Sequence, residues 1–172
     1  MPLGKRTIET LRDLARDPSI ASDSADGGQK RLVISEGAAT AQLEIADNDR
    51  YSVTLRSLEV ELDRPAPEDV RAFLSERAAA IIRQLSFLEE PLAVWELDEG
   101  ERTAQLRSSP PLREGEEVSY WEVALRGDGR PRASITRYRW RPGIPEREAE
   151  LYPATFALVG RIMQSLEAAL SE

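Results

Sequence analysis

Two segments of this chain carry apolar residues at helical spacing, and most of the remaining patterned stretches read as strands. In residues 67–88, Val70, Phe73, Leu74, Ala78, Ile81, Ile82, Leu85 and Leu88 fall mostly three or four apart. That spacing draws one apolar stripe along a predicted helix, which Pro91 stops. In residues 147–170 the stripe is Leu151 or Tyr152, then Phe156, Val159, Ile162, Met163, Leu166 and Leu170, with Pro153 in the first turn. Each stripe must be buried on something; most of the predicted strands alternate, while 92–97 (LAVWEL) reads as a strand buried on most sides. The pattern therefore predicts an α+β domain, a mostly antiparallel sheet of about seven strands with two long amphipathic helices, plus a short N-terminal helix.

The predicted strands are 31–36, 41–46, 51–62, 92–97, 102–107, 118–126 and 132–140. Within the third, Tyr51, Val53 and Leu55 alternate on one parity and Leu58, Val60 and Leu62 on the other. A parity switch near Arg56–Ser57 implies a bulge or bend. Gly127-Asp128-Gly129 marks a hairpin between the last two strands. Pairing 126 with 130 would set Glu117 opposite Arg139, Ser119 opposite Arg137, Val118 opposite Tyr138 and Glu116 opposite Trp140. Residues 5–16 suit a helix too short to be stable alone. Residues 17–30 are small, polar and glycine-containing and read as a flexible linker. The expected organisation is thus an N-terminal helix and linker over 1–30 and a single domain over 31–172.

The chain has no histidine, no cysteine, and lysine only at positions 5 and 30. This removes the usual general base at neutral pH, thiolate chemistry, the common zinc and haem ligands, and a Ser–Lys pair within the compact domain. Ser108 and Ser109 therefore have no base to activate them. Glu89, Glu90 and Glu96 flank Trp95, with Asp98, Glu99 and Glu101 following. They fall at a helix end and in a turn, whereas paired catalytic carboxylates must converge across a cleft. Asp47-Asn48-Asp49 lacks the remaining ligands of a calcium loop. Gly127-Asp128-Gly129 lacks dinucleotide spacing. The sequence predicts a protein that is not an enzyme and needs no metal or cofactor.

Binding is the chemistry left. The net charge is −8, yet residues 126–141 hold six arginines against the single Asp128, leaving −13 for the rest. Such a field disfavours nucleic acid and anionic membrane surfaces. The candidate contacts are Arg132, Arg137, Arg139 and Arg141, with Tyr138, Trp140, Trp95 and Trp121. Period two puts Arg137, Arg139 and Arg141 on one face of their strand and Tyr138 and Trp140 on the other. The arginines read either as an anion-binding face or as an ordinary solvated, neighbour-paired strand. The tryptophans read either as the lining of a cleft between sheet and helix or as core. The first expectation is an interaction or assembly module, chaperone-like, that binds a protein partner or a second copy as a homodimer. The alternative is a binding protein for a small acidic or apolar molecule in the sheet–helix cleft. No signal peptide or apolar span is evident, so the expected location is cytoplasmic.

Ala104-Gln105-Leu106-Arg107-Ser108, Tyr120 to Leu125 and Arg137-Tyr138-Arg139 resemble strings in small uncharacterised cyanobacterial proteins. The element order over 31–170 resembles the secretion-chaperone-like α+β fold, which implies dimerisation, although seven strands exceed its usual number. A cyanobacterial setting would make a tetrapyrrole one conceivable ligand, and haem would then need a tyrosine or Met163.

Overall fold

In the structure, a computed structural model that describes residues 1–25 and 27–172, the alternating segments pair into one antiparallel sheet. Its strands are β1 (Ser22–Asp23), β2 (Lys30–Glu36), β3 (Ala39–Asn48), β4 (Ser52–Leu62), β5 (Leu92–Asp98), β6 (Thr103–Ser108), β7 (Leu112–Glu114), β8 (Glu117–Arg126), β9 (Arg132–Trp140), β10 (Glu148–Ala149) and β11 (Tyr152–Thr155). The main order is β1-β2-β3-β4-β9-β8-β6-β5. Helices α1 (Leu3–Arg16), α2 (Val70–Gln84) and α3 (Phe156–Ser171) form the second layer. In that layer α3 is central, packing on α1, α2 and β4, while α1 reaches β2 and α2 reaches β5, β6 and β8. The fold class is α+β, as the sequence predicts.

The expected seven strands become eleven among the described residues, and the reason is length. The additions β1, β7, β10 and β11 have two to four residues each, too few for a period-two signature. The last two decide the shape of the site. Residues 57–61 of β4 pair with 132–136 of β9, and beyond that the two strands part. The fork is filled by β11, paired with 52–55 of β4, and β10, paired with 138–139 of β9. Hence the helix expected over 147–170 begins only at Phe156. Tyr152 and Ala154 face inward while Pro153 and Thr155 are exposed, the alternation of a strand, and Thr155 Oγ1 caps α3 by accepting from the Leu158 amide at 3.2 Å. Likewise α2 is shorter than 67–88. It starts behind Asp69, whose carboxylate accepts from the Ala72 amide at 3.1 Å, and ends at Gln84.

The bulge near Arg56–Ser57 is present. Leu55 pairs with Ile45 and Ser57 with Glu44, so Arg56 is the extra residue on β4. This brings Val53, Leu55, Leu58, Val60 and Leu62 all into the core. The β8–β9 hairpin has a different register from the expected one. Arg126 pairs with Arg132, which puts Val118 opposite Trp140, Ser119 opposite Arg139, Tyr120 opposite Tyr138 and Trp121 opposite Arg137. The loop bonds outward instead of closing tightly: the Gly127 amide donates to Arg102, the Ala66 amide to Gly129, and the Leu62 amide to Pro131. Gly127 also lies against Phe73, where a Cβ would stand 2.6 Å from the ring.

The N-terminal helix is part of the core. Leu3, Leu11 and Leu14 are buried, and β1 adds the following segment to the sheet through β2. The helix–helix crossing is close because glycines meet: a Cβ on Gly160 would lie 2.8 Å from the Gly4 carbonyl oxygen. The first turn of α1 is capped from α3, where Gln164 Oε1 accepts from the Gly4 amide at 2.9 Å. Asp26, within the expected 17–30 linker, lies outside the described residues. No helix among the described residues is long and apolar enough to cross a membrane.

Candidate functional site

Strands β8 and β9 carry chemistry on both faces, and alternation sorts it. Odd positions follow Val123, Leu125, Ala133 and Ile135, which are fully buried under the helices. Even positions face the open side.

On the helix side, the pattern Ala133-Ile135-Arg137 runs past the end of α2. Arg137 stacks on its cross-strand neighbour Trp121, with the guanidinium carbon 4.9 Å from the ring centre. Glu90, in the turn after α2, takes that guanidinium in a two-pronged pair at 3.2 Å and 3.2 Å. Glu150, between β10 and β11, approaches Nε at 3.3 Å. Ser108 locks the arrangement: its Oγ donates to Glu90 at 2.9 Å and accepts from the Trp121 amide at 2.7 Å. The serine thereby replaces a ladder bond where β6 leaves β8. Beside this cluster is a cavity of about 440 Å³, lined by Phe87, Leu88, Leu112, Pro153 and Leu158 together with Trp121, Arg137, Tyr152, Glu89 and Glu90. Tyr152 meets Trp121 edge to face at 4.8 Å. Its hydroxyl is buried without a hydrogen-bond partner. Burial pushes its pKa up, against the pull of the Arg137 charge.

On the open side, arginines and aromatic rings alternate across four adjacent strands. Arg107 of β6 lies over Trp95 of β5 at 4.9 Å and near Tyr120 of β8 at 5.2 Å. Arg147, from the β9–β10 connection, lies 3.7 Å over Tyr138 of β9 and donates to Tyr120 Oη at 3.0 Å. Glu122, buried in the middle of β8, holds both cations: Arg147 at 2.6 and 2.9 Å and Arg107 at 3.1 Å. Burial works against the Arg147 charge, but the bonds to Glu122 and Tyr120 outweigh it and raise its pKa. The 92–97 strand, expected to be buried on most sides, is instead the end strand β5 with Val94, Trp95 and Glu96 exposed; Trp95 is 64% exposed and Trp140 40% exposed.

The residues singled out by sequence thus divide between two sites. Arg137 and Trp121 share the helix-side cluster. Trp95 and Tyr138 belong to the open face, and Trp140 continues it beside Tyr138. The expected separation of Arg137 from Tyr138 by face is present. Arg139 pairs with Glu148 at 3.7 Å, where the expected register placed Glu117. Arg132 stands at the far end of β9, bridged to Asp128 at 3.0 Å. Arg141 lies beyond the end of β9 and is exposed. Four of the arginines of 126–141 therefore face carboxylates, Arg130 with Glu61 and Asp63 included, and much of the apparent +5 is neutralised locally. Met163, the methionine a haem would need, is fully buried.

Sequence reasoning assigned no binding role to Glu122, Arg147, Glu150 and Tyr152. Glu122 carried a signal, a carboxylate midway along a strand flanked by Trp121 and Val123. The others sit in segments whose fold was misread. Among the described residues no group of three or more Asp or Glu side chains is placed to hold a metal ion. Comparison with protein-family models, with curated proteins and with solved structures finds no match to this chain.

Proposed function

We propose that this protein is a non-enzymatic interaction module that takes up an extended segment of a partner protein along β5, with Trp95 as the anchor. The observation that carries the reading is the state of Trp95. An indole normally seeks burial, yet this one is 64% exposed while Arg107 packs on its ring and is itself fixed by Glu122. A large side chain held rigid before binding loses little entropy on contact, and tryptophan and arginine are the residues that dominate interface energies. β5 also ends the main strand order at its own side, with β6 as its strand neighbour. Its exposed run Val94-Trp95-Glu96 offers backbone groups for strand addition. The irregular register between Val94 and Glu96 bends the edge, which discourages indiscriminate sheet growth.

Selection of peptides from a displayed random library, followed by titration against isotope-labelled protein, tests this. The reading expects saturable peptides whose shifts centre on β5 and whose affinity falls at least tenfold in Trp95→Ala, with no change in Tyr51→Ala, an even more exposed aromatic elsewhere. Peptides that bind Trp95→Ala as well as the parent would overturn it. Light scattering over a dilution series identifies the segment's source: a dimer lost in Trp95→Ala makes the partner a second copy, and a persistent monomer makes it a different protein.

A further inference from the structure

From the cavity between the end of α2, β11 and the first turn of α3, we infer a second binding site, for a small uncharged ring compound that accepts a hydrogen bond from Tyr152. The tyrosine hydroxyl is the reason. Tyr152 is 7% exposed and its Oη has no partner, although buried polar groups in native proteins nearly always have one. Leaving such a group unsatisfied costs free energy that a ligand oxygen or nitrogen would recover. The same residue lines a cavity of about 440 Å³, within the range of small-molecule sites. The remaining walls are mostly apolar and include the rings of Phe87 and Trp121, so a flat hydrocarbon body fits the lining.

The charge of the ligand follows from the polar neighbours. Arg137 is the one cation of the lining, and it is occupied by Glu90 and Glu150. Glu89 and Glu90 are both in the wall. A carboxylate entering here would meet two acids and an arginine with its fork already filled. The site therefore selects against anions, which narrows the small acidic or apolar ligand of the sequence reading to the apolar member. This site is on the helix side of the sheet and stands independently of the β5 edge.

Three probes of one shape separate these elements: p-cresol, toluene and 4-methylbenzoate, titrated while the Trp121 indole N–H is followed by NMR. The inference expects p-cresol to saturate in the millimolar range, as suits eight heavy atoms. Toluene should bind about fivefold more weakly, the worth of one ordinary hydrogen bond, and 4-methylbenzoate should not saturate. Tyr152→Phe should bring p-cresol down to the level of toluene and leave toluene unchanged. Leu158→Trp, which fills the cavity from a half-buried position, should abolish both. The inference is overturned if neither p-cresol nor toluene gives a saturable shift at Trp121, if 4-methylbenzoate binds most tightly, or if Tyr152→Phe leaves the p-cresol to toluene ratio unchanged.

Discussion

Replacing Gly160 with alanine tests whether α1 is part of the domain. A new Cβ at that position would lie 2.8 Å from the Gly4 carbonyl oxygen, 2.8 Å from Ile8 Cγ1 and 2.9 Å from Ile8 Cδ1. Ile8 can change rotamer, but the carbonyl belongs to the backbone of α1 and moves only if the helix moves. Overpacking of this kind costs about 1–3 kcal/mol. Alanine in a helix interior returns about 1 kcal/mol relative to glycine. With a backbone atom among the contacts the upper part of the range applies, and the net expectation for Gly160→Ala is a loss of about 1–2 kcal/mol. Gly4→Ala should cost a similar amount, because its Cβ would stand 2.5 Å from the Gly160 oxygen. Once α1 has lifted to admit one methyl it has room for the second, so the double variant should lose about 0.5 kcal/mol or more less than the two single losses added. Urea unfolding gives the stabilities, and hydrogen exchange at α1 amides shows whether the loss is local. If Gly160→Ala is as stable as the parent or more so, or if the two losses add, the close crossing is refuted and α1 is free to serve a partner.

Two further tests address the polar network. Glu122→Ala leaves Arg107 and Arg147 without their shared carboxylate. Orphaning a buried charge costs about 3–5 kcal/mol, and with the arginine side chains 25% and 31% exposed the expected loss is about 3 kcal/mol by urea unfolding, with Glu122→Gln milder. Glu167, whose carboxyl faces Glu36 and the Leu3 amide, has its pKa raised by burial first and by the Glu36 charge second. The folded state then holds a proton more tightly than the unfolded state, so its contribution to stability falls as pH rises from the unfolded carboxylate value through the raised folded one. Glu167→Gln should accordingly raise the melting temperature at pH 7 and change it little at pH 3; equal effects at both would contradict this.

How much was legible in the sequence depended on the length of each pattern. Eleven residues of β4 with a parity switch were enough to locate the bulge at Arg56, because both halves must face one core. Fifteen residues of stripe were enough for α2. Residues 147–155 failed for the opposite reason: Leu151, Tyr152 and Phe156 can begin a helical stripe, while Tyr152 and Ala154 can equally form a strand face. The choice is made by the fork between β4 and β9, a tertiary feature that no local window contains. The β8–β9 register departs from the expected one because the glycine-rich turn is not a tight hairpin: Gly127 bonds Arg102 just before β6, Gly129 bonds Ala66 ahead of α2, and Pro131 bonds Leu62 of β4. A slip of two residues preserved the faces, so Arg137 and Tyr138 were correctly separated, but it hid Trp121 behind Arg137 and with it the helix-side cluster.

The bias toward arginine, with lysine confined to positions 5 and 30, has a structural use in that geometry. Arg107, Arg137 and Arg147 each stack on an aromatic ring and bond a buried or half-buried carboxylate at once. A planar guanidinium has a face for the ring and edges for the oxygens, whereas an ammonium is a compact point charge without that division. Each arginine thereby ties a ring on one strand to an acid on another strand or on a turn after a helix. The tie at Arg137 lies on the helix side of the sheet, and those at Arg107 and Arg147 lie on its open face. Arginine forks and faces thereby let a chain without histidine or cysteine keep two ordered faces, one exposed at Trp95 and one beside the cavity at Tyr152.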